Sequence, residues 1–376
     1  MGTYPFVRLS EARRAAEAAG VDVIDFGMGE PREQTPAFIR NAVVAALEAE
    51  PVSAYPKAEG LPEVRAAIAA WTQRRFGASL DPDTEVIPTL GSKEAVFGLA
   101  QVVGGPGARI GVPSPGYPVP VRGAAFAGAE TVEIPLRAEH GWLPDLDALP
   151  DGLAILWLNY PNNPTGARAP LEFYERAQQL ALGRGFIVAS DEAYSELWFD
   201  GEPPHSALEL IDRRNVIVFN TLSKRSSMPG YRAGFAAGDP ELIAALKKYR
   251  PNAGVTPQTF VQRAAAAAWG DEEHVDAVRA LYREKRDALL PALLALGLES
   301  AGGDATFFLW LRTPQPDDEA FATALLADHG LVVAPGSYLG AGGAGHVRIA
   351  VVPTLERCHE AAQRLGTGSD PVSKDG

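Results

Sequence analysis

A single cysteine, Cys358, stands among the 376 residues, so the chain holds no internal disulfide and no cysteine-rich zinc site. Its six histidines show no metal-ligand spacing, and no G-x-S-x-G elbow marks a serine hydrolase. There is no run of about 18 uncharged apolar residues to supply a membrane-spanning helix. A basic excess is missing too: 34 Lys and Arg face 47 Asp and Glu, and the net charge of −13 argues against nucleic acid or an anionic membrane as partner. Arg8, Glu11, Arg13 and Arg14 precede any long apolar run, unlike a secretory leader, and the expected location is cytoplasmic. The length exceeds one ordinary core, which predicts a large domain and a smaller one.

What the chain does have is alternation. Apolar runs at 84–88, 109–113, 130–134, 153–158, 186–190, 215–220 and 233–237 read as strands, mostly separated by helix-length segments. That pattern predicts an α/β architecture with a mainly parallel sheet covered by helices on both faces, and ligands bound beyond the carboxyl ends of the strands. Helical spacing is present at 7–19, 36–49 and 61–77, around an irregular glycine-containing segment at 23–31. After about residue 270 a long helix at 272–296 precedes strands near 306–312, 331–334 and 346–351 and helices at 317–327 and 354–366, a smaller α+β unit. The expected organisation is an N-terminal segment at 1–45 joining the small domain, a large domain at 46–270, a small domain at 271–366 and a disordered polar tail at 367–376.

The loops after these strands carry the chemistry. In NTLSKRSSMPGYRAG, residues 220–234, Lys224 follows a buried strand, and Arg232 comes eight residues later. A lysine kept from water and near positive charge is a nucleophilic amine able to form an imine with an aldehyde; the alternative is a solvated loop lysine. Gly91-Ser92-Lys93 opens an apolar helix, which is either an anion site or a simple cap by Ser92. Arg232 offers a bidentate partner for a phosphate. Tyr117, in a loop after a strand, suits stacking on a flat ring or packing at an interface. Asn163, just before Pro164, aims its amide at a ligand oxygen or at the local turn. Asp191 ends the strand FIVAS and needs a cationic or N–H partner, such as a protonated ring nitrogen or an internal salt bridge, and Tyr194 offers a hydroxyl nearby. Arg348, inside an apolar strand, calls for a carboxylate of a substrate or of the protein itself. GAGGAG at 340–345 matches a dinucleotide fingerprint by letter, yet it precedes a strand and opens no helix, so it implies no such site.

In order and spacing, GEP at 29–31, GSKEA, NNPTG, DEAY, SK with its following arginine, and VRIA closely resemble the fold type I, class I/II aminotransferases that use pyridoxal 5′-phosphate. The resemblance spans nearly the whole chain. It implies that Lys224 binds the cofactor aldehyde and moves the substrate proton, and that Asp191 keeps the pyridine nitrogen protonated. Asn163 and Tyr194 would hold the ring 3′-oxygen, Tyr117 would stack on the ring, and Ser92, Lys93, Thr221 and Arg232 would cradle the phosphate. Tyr55 resembles the tyrosine that reaches the phosphate of a neighbouring subunit, implying a homodimer with shared sites. Gly29, Asn163 and Arg348 would hold the substrate, the α-carboxylate falling to Gly29 and Arg348. GEPRE at 29–33, SKRSSMPGYRAGF and the stretch 250–269 resemble most the succinyldiaminopimelate aminotransferases of lysine biosynthesis, which implies N-succinyl-L,L-2,6-diaminopimelate and 2-oxoglutarate as substrates. Arg32 or Arg225 would meet that donor's distant carboxylate. An aspartate, alanine or aromatic aminotransferase and a β-lyase of the same fold are the alternatives.

Overall fold

The computed structural model describes residues 5–52 and 54–366. Helix Pro5–Ala18 leads into a two-residue strand, β1 (Ile24–Asp25), and helices Ala37–Ala49 and Pro62–Phe76 follow. The main sheet then forms from β2 (Val86–Thr89), β3 (Arg109–Ser114), β4 (Glu130–Pro135), β5 (Leu153–Leu158), β6 (Ile187–Asp191), β7 (Val216–Thr221) and β8 (Gly234–Gly238). Their spatial order is β2-β8-β7-β6-β5-β3-β4, and β8 runs opposite to the other six.

The central strands are apolar on both faces because both faces are covered. In β7, Val216 and Val218 join one core while Ile217 and Phe219 join the other, and β5 divides Leu156 and Leu158 from Ile155 and Trp157 in the same way. Helices Pro62–Phe76, Leu171–Arg184 and Thr259–Trp269 pack on the first face. Gly91–Val103, Val119–Ala127 and Pro240–Asn252 pack on the second.

Beyond the long helix Glu273–Ala295, β9 (Glu299–Ser300), β10 (Phe308–Arg312), β11 (Leu331–Val332), β12 (Ala334–Pro335) and β13 (His346–Ala350) complete the chain with helices Asp318–His329 and Leu355–Gly366. An antiparallel sheet runs β12-β13-β10-β9, while β11 pairs in parallel with β1. A third core forms here, and it takes in Ile24 and Phe26 from the N-terminal segment and Tyr194 and Leu197 from the loop after β6. Cys358 lies fully buried in this core, and burial pushes its thiol up to about 11.

Each of the seven predicted strands of the main sheet is present, within two residues of its expected ends. The expected strand at 331–334 is instead two short strands in different sheets, and β1 and β9 are too short to leave an apolar run. The GAGGAG segment forms a short turn of helix ahead of β13, with Gly342 N–H donating to Ser114 Oγ at 3.1 Å. No helix among the described residues is long and apolar enough to cross a membrane. The predicted disordered tail at 367–376 lies outside the described residues.

Candidate active site

The carboxyl ends of β5, β6 and β7 open onto a cleft of about 280 Å³, closed on its far side by residues 28–30, Phe308 and Arg348. Lys224 is the third residue of the four-residue helix Leu222–Arg225, which starts where β7 stops. Thr221 fixes that start: its Oγ1 accepts from Ser223 N–H at 3.1 Å, and its one rotatable hydrogen has Ser223 Oγ at 2.9 Å and the Ala233 carbonyl oxygen at 3.0 Å within reach. The Lys224 ammonium donates to the Gly29 carbonyl at 2.6 Å. Its tip is reachable from the cleft, yet protein surrounds it on the other sides, and loss of water holds its pKa down to about 8. The charges of Arg348 and Arg232 push the same way, while Glu30 and Asp191 oppose them. An amine held so far below the ordinary lysine range is nucleophilic near neutral pH.

Asp191, at the end of β6, is 5% exposed, and its Oδ1 has no hydrogen-bond partner. Burial raises its pKa to about 7 against the pull of the Ala193 N–H and the Lys224 charge. An orphaned buried carboxylate oxygen suits a ligand that brings an N–H with positive charge, as a protonated pyridine does. Asn159, the residue after β5, spans the gap: its Nδ2 donates to the Asp191 carbonyl at 2.7 Å, and its Oδ1 accepts from Asn163 N–H at 2.9 Å. The Asn163 side-chain oxygen is taken by Arg348 Nη1 at 3.0 Å, so its NH₂ is the group left to donate into the cleft. Tyr194 packs edge-on against Phe307 and Phe308, and burial holds its phenol protonated. Arg348 is 4% exposed, donates to the Gly27 carbonyl at 2.7 Å and lies 4.4 Å over the Phe308 ring.

The opposite corner suits an anion. Leu90, not Ser92, occupies the N-cap of helix Gly91–Val103, so the Ser92 hydroxyl is not spent on capping. Arg232, at φ 55°, donates to the carbonyls of Pro229 at 2.8 Å and Leu90 at 2.9 Å, which aims its guanidinium at the helix start. A Cβ on Gly91 would stand 2.6 Å from Arg232 Nη2, so only glycine, here at φ +69°, leaves the arginine its place. Lys93 and Tyr117 line the same cleft. Backbone N–H groups at a helix start beside a fixed guanidinium match a phosphate.

The structure thus brings together Gly29, Ser92, Lys93, Tyr117, Asn163, Asp191, Tyr194, Thr221, Lys224, Arg232 and Arg348. Tyr55 stays apart, fully exposed outside the cleft of its own chain. Arg225 corrects the expectation for it. It does not face the cleft but lies 1% exposed between Trp71 and Trp269, 5.3 and 4.7 Å from their rings, and is paired with Glu272 at 2.8 Å. Arg32 lines an adjoining hollow that shares Pro229 and Arg232 with the cleft, and it stands 3.8 Å from Asp25. Sequence reasoning missed Asn159, Ser223, Glu30 and Phe308. Glu30 and Ser223 sit inside quoted motifs and Asn159 lies three residues before NNPTG, whereas Phe308 looks like any strand apolar residue.

A lysine of lowered pKa facing an orphaned aspartate, with an anion cradle beside it, defines a pyridoxal-phosphate-dependent transferase, and the residues present fit that cofactor. The chain belongs to the aminotransferases of class I and II, whose family model matches residues 21–365. It is 39% identical over 370 residues to LL-diaminopimelate aminotransferase 2 of Nostoc sp., covering 96% of this chain and 95% of that one. It is 40% identical over 369 residues to LL-diaminopimelate aminotransferase of Aquifex aeolicus, with the same coverage. Among solved structures it resembles a probable N-succinyldiaminopimelate aminotransferase from Thermus thermophilus, with a TM-score of 0.89, 34% identity and coverage of 96% and 98%. The protein is a pyridoxal-phosphate-dependent aminotransferase of fold type I.

Proposed function

We propose that this aminotransferase moves an amino group from LL-diaminopimelate to 2-oxoglutarate. The observation that carries the reading is the likeness to LL-diaminopimelate aminotransferases over 96% of the chain. Glu30 supports it: this exposed carboxylate at the cleft repels a distal succinyl carboxylate and attracts a distal ammonium. The N-succinylated donor is the second reading, favoured by the Thermus thermophilus structure.

Pyridoxal phosphate, when bound, supplies the electron sink that makes the substrate Cα–H acidic. With the cofactor bound, Lys224 Nζ would take and return the substrate Cα proton, for which an amine with a pKa of about 8 is suited. Asp191 would hold the proton on the ring nitrogen, Asn163 and Tyr194 would hold the 3′-oxygen, and Tyr117 would pack on the ring. Ser92, Lys93, Thr221 and Arg232 would bind the phosphate, joined by Tyr55 from a second copy of the chain. Arg348, oriented by Asn163 and the Gly27 carbonyl, takes the α-carboxylate alongside Gly29.

The test is a donor panel read as glutamate formation, covering LL-diaminopimelate, its N-succinyl derivative, aspartate, alanine and an aromatic amino acid. The expected result is the highest kcat/KM with LL-diaminopimelate, and a higher value with the succinyl derivative would establish the second reading. Release of ammonia without 2-oxoglutarate would identify a lyase instead.

A further inference from the structure

The three residues that follow Lys224 are each tied to a part of the chain outside the main sheet. Arg225 pairs with Glu272 at 2.8 Å and reaches the carbonyls of Ala268 and Asp271 at 3.3 and 3.4 Å. Ser226 Oγ lies 2.8 Å from His274 Nε2, and His274 Nδ1 lies 2.5 Å from Asp271 Oδ1. The Ser227 carbonyl accepts from Thr35 Oγ1 at 2.6 Å. Ser227 also sits at φ 50°, a left-handed conformation that a serine keeps only when its surroundings enforce it.

Serine, histidine and aspartate in this sequence of contacts resemble a nucleophilic triad, but Ser226 is fully buried, which excludes attack on a substrate. The partners fix the protons: Asp271 takes the Nδ1 hydrogen, so Nε2 is bare and accepts from the Ser226 hydroxyl. A protonated ring would donate from both nitrogens and would reverse that bond, with the Ser226 oxygen as acceptor. Burial and the charge of Arg225 hold the ring neutral against Asp271, and the Phe38 ring packs 5.4 Å from it.

We propose that His274 is a positioning residue for Lys224, joining the turn that carries the lysine to the start of the long helix Glu273–Ala295. That helix packs against Leu355–Gly366 in the third core, the same core that receives the segment carrying Gly29. The lysine's backbone and the carbonyl its ammonium meets are thus referred to one body, and a shift of that body moves both.

The test compares His274→Ala, His274→Gln and Ser226→Ala in the cofactor-loaded full chain, titrating by pH the visible band that the cofactor gives on Lys224. His274→Ala and Ser226→Ala are expected to raise the midpoint by about half a pH unit or more, because a loosened lysine regains water. Their double variant should match the larger single effect, as for one interaction removed twice. His274→Gln, whose side-chain oxygen can accept from Ser226, should restore most of the midpoint. Turnover should fall about tenfold with the donor KM within twofold, the mark of misplacement at the reacting atom. If Ser226→Ala, the variant that alters least volume, folds and leaves the midpoint unchanged, the proposal is overturned. Should His274→Ala fail to fold, His274→Gln and Ser226→Ala decide by the same readout.

Discussion

Asp191 is buried where an ionised carboxyl is unwelcome, and the consequence depends on pH. Its folded pKa of about 7 lies above the ordinary value of 3.8. The folded protein therefore binds more protons than the unfolded chain between these values, and stability falls as pH rises through that window. In cofactor-stripped protein, Asp191→Asn is expected to raise the melting temperature at pH 8 and to leave it nearly unchanged at pH 4. The same variant should lose about 100-fold or more in turnover, since a neutral amide does not hold the ring-nitrogen proton. Lys224→Ala should abolish both the visible cofactor band and the label trapped by borohydride, and a label that persisted elsewhere would move the cofactor lysine. These residues were legible because each sits in a loop of turn-forming neighbours directly after an apolar strand. Arg225 was not: which side of a four-residue helix faces the cleft depends on Trp71 and Trp269, far away in sequence.

At the scale of elements, the correction to Arg225 becomes a prediction. Arg225→Met removes a buried guanidinium from the half-exposed Glu272, which keeps Arg74 at 3.7 Å, and costs about 1.5–3 kcal/mol, as for a lost charge-assisted hydrogen bond. Thermal stability should fall while the ratio of kcat/KM between LL-diaminopimelate and its succinyl derivative stays constant. A change in that ratio would return Arg225 to substrate recognition. For the helix at Gly91, Gly91→Ala forces a methyl against Arg232 and should weaken pyridoxal phosphate binding about tenfold, measured by equilibrium dialysis. The central strands were readable because two covered faces demand unbroken apolar runs. The antiparallel direction of β8 left no such trace, and two-residue strands such as β1 and β9 are set by their partners.

For the molecule as a whole, Tyr55 and Val52 stand 101% and 82% exposed on the single chain, with Val44 and Leu47 about half exposed on the preceding helix. In a dimer with shared sites, a Tyr55→Ala protomer and a Lys224→Ala protomer carry different defects. Mixing the two under subunit exchange should therefore regain activity that neither has alone, and no recovery would argue for self-contained sites.

The pairing of β1 with β11 joins residues roughly 300 positions apart, at the far end of the contact-order range, and it holds the segment that presents the Gly29 carbonyl to Lys224. A ribosome must therefore synthesise past Val332 before this enzyme can close that side of its cleft. By then β5, β6 and β7, with Asn163, Asp191 and Lys224 beside them, have long since emerged. The nascent protein can acquire its cofactor groups before its substrate groups, so cofactor capture can precede activity during biosynthesis.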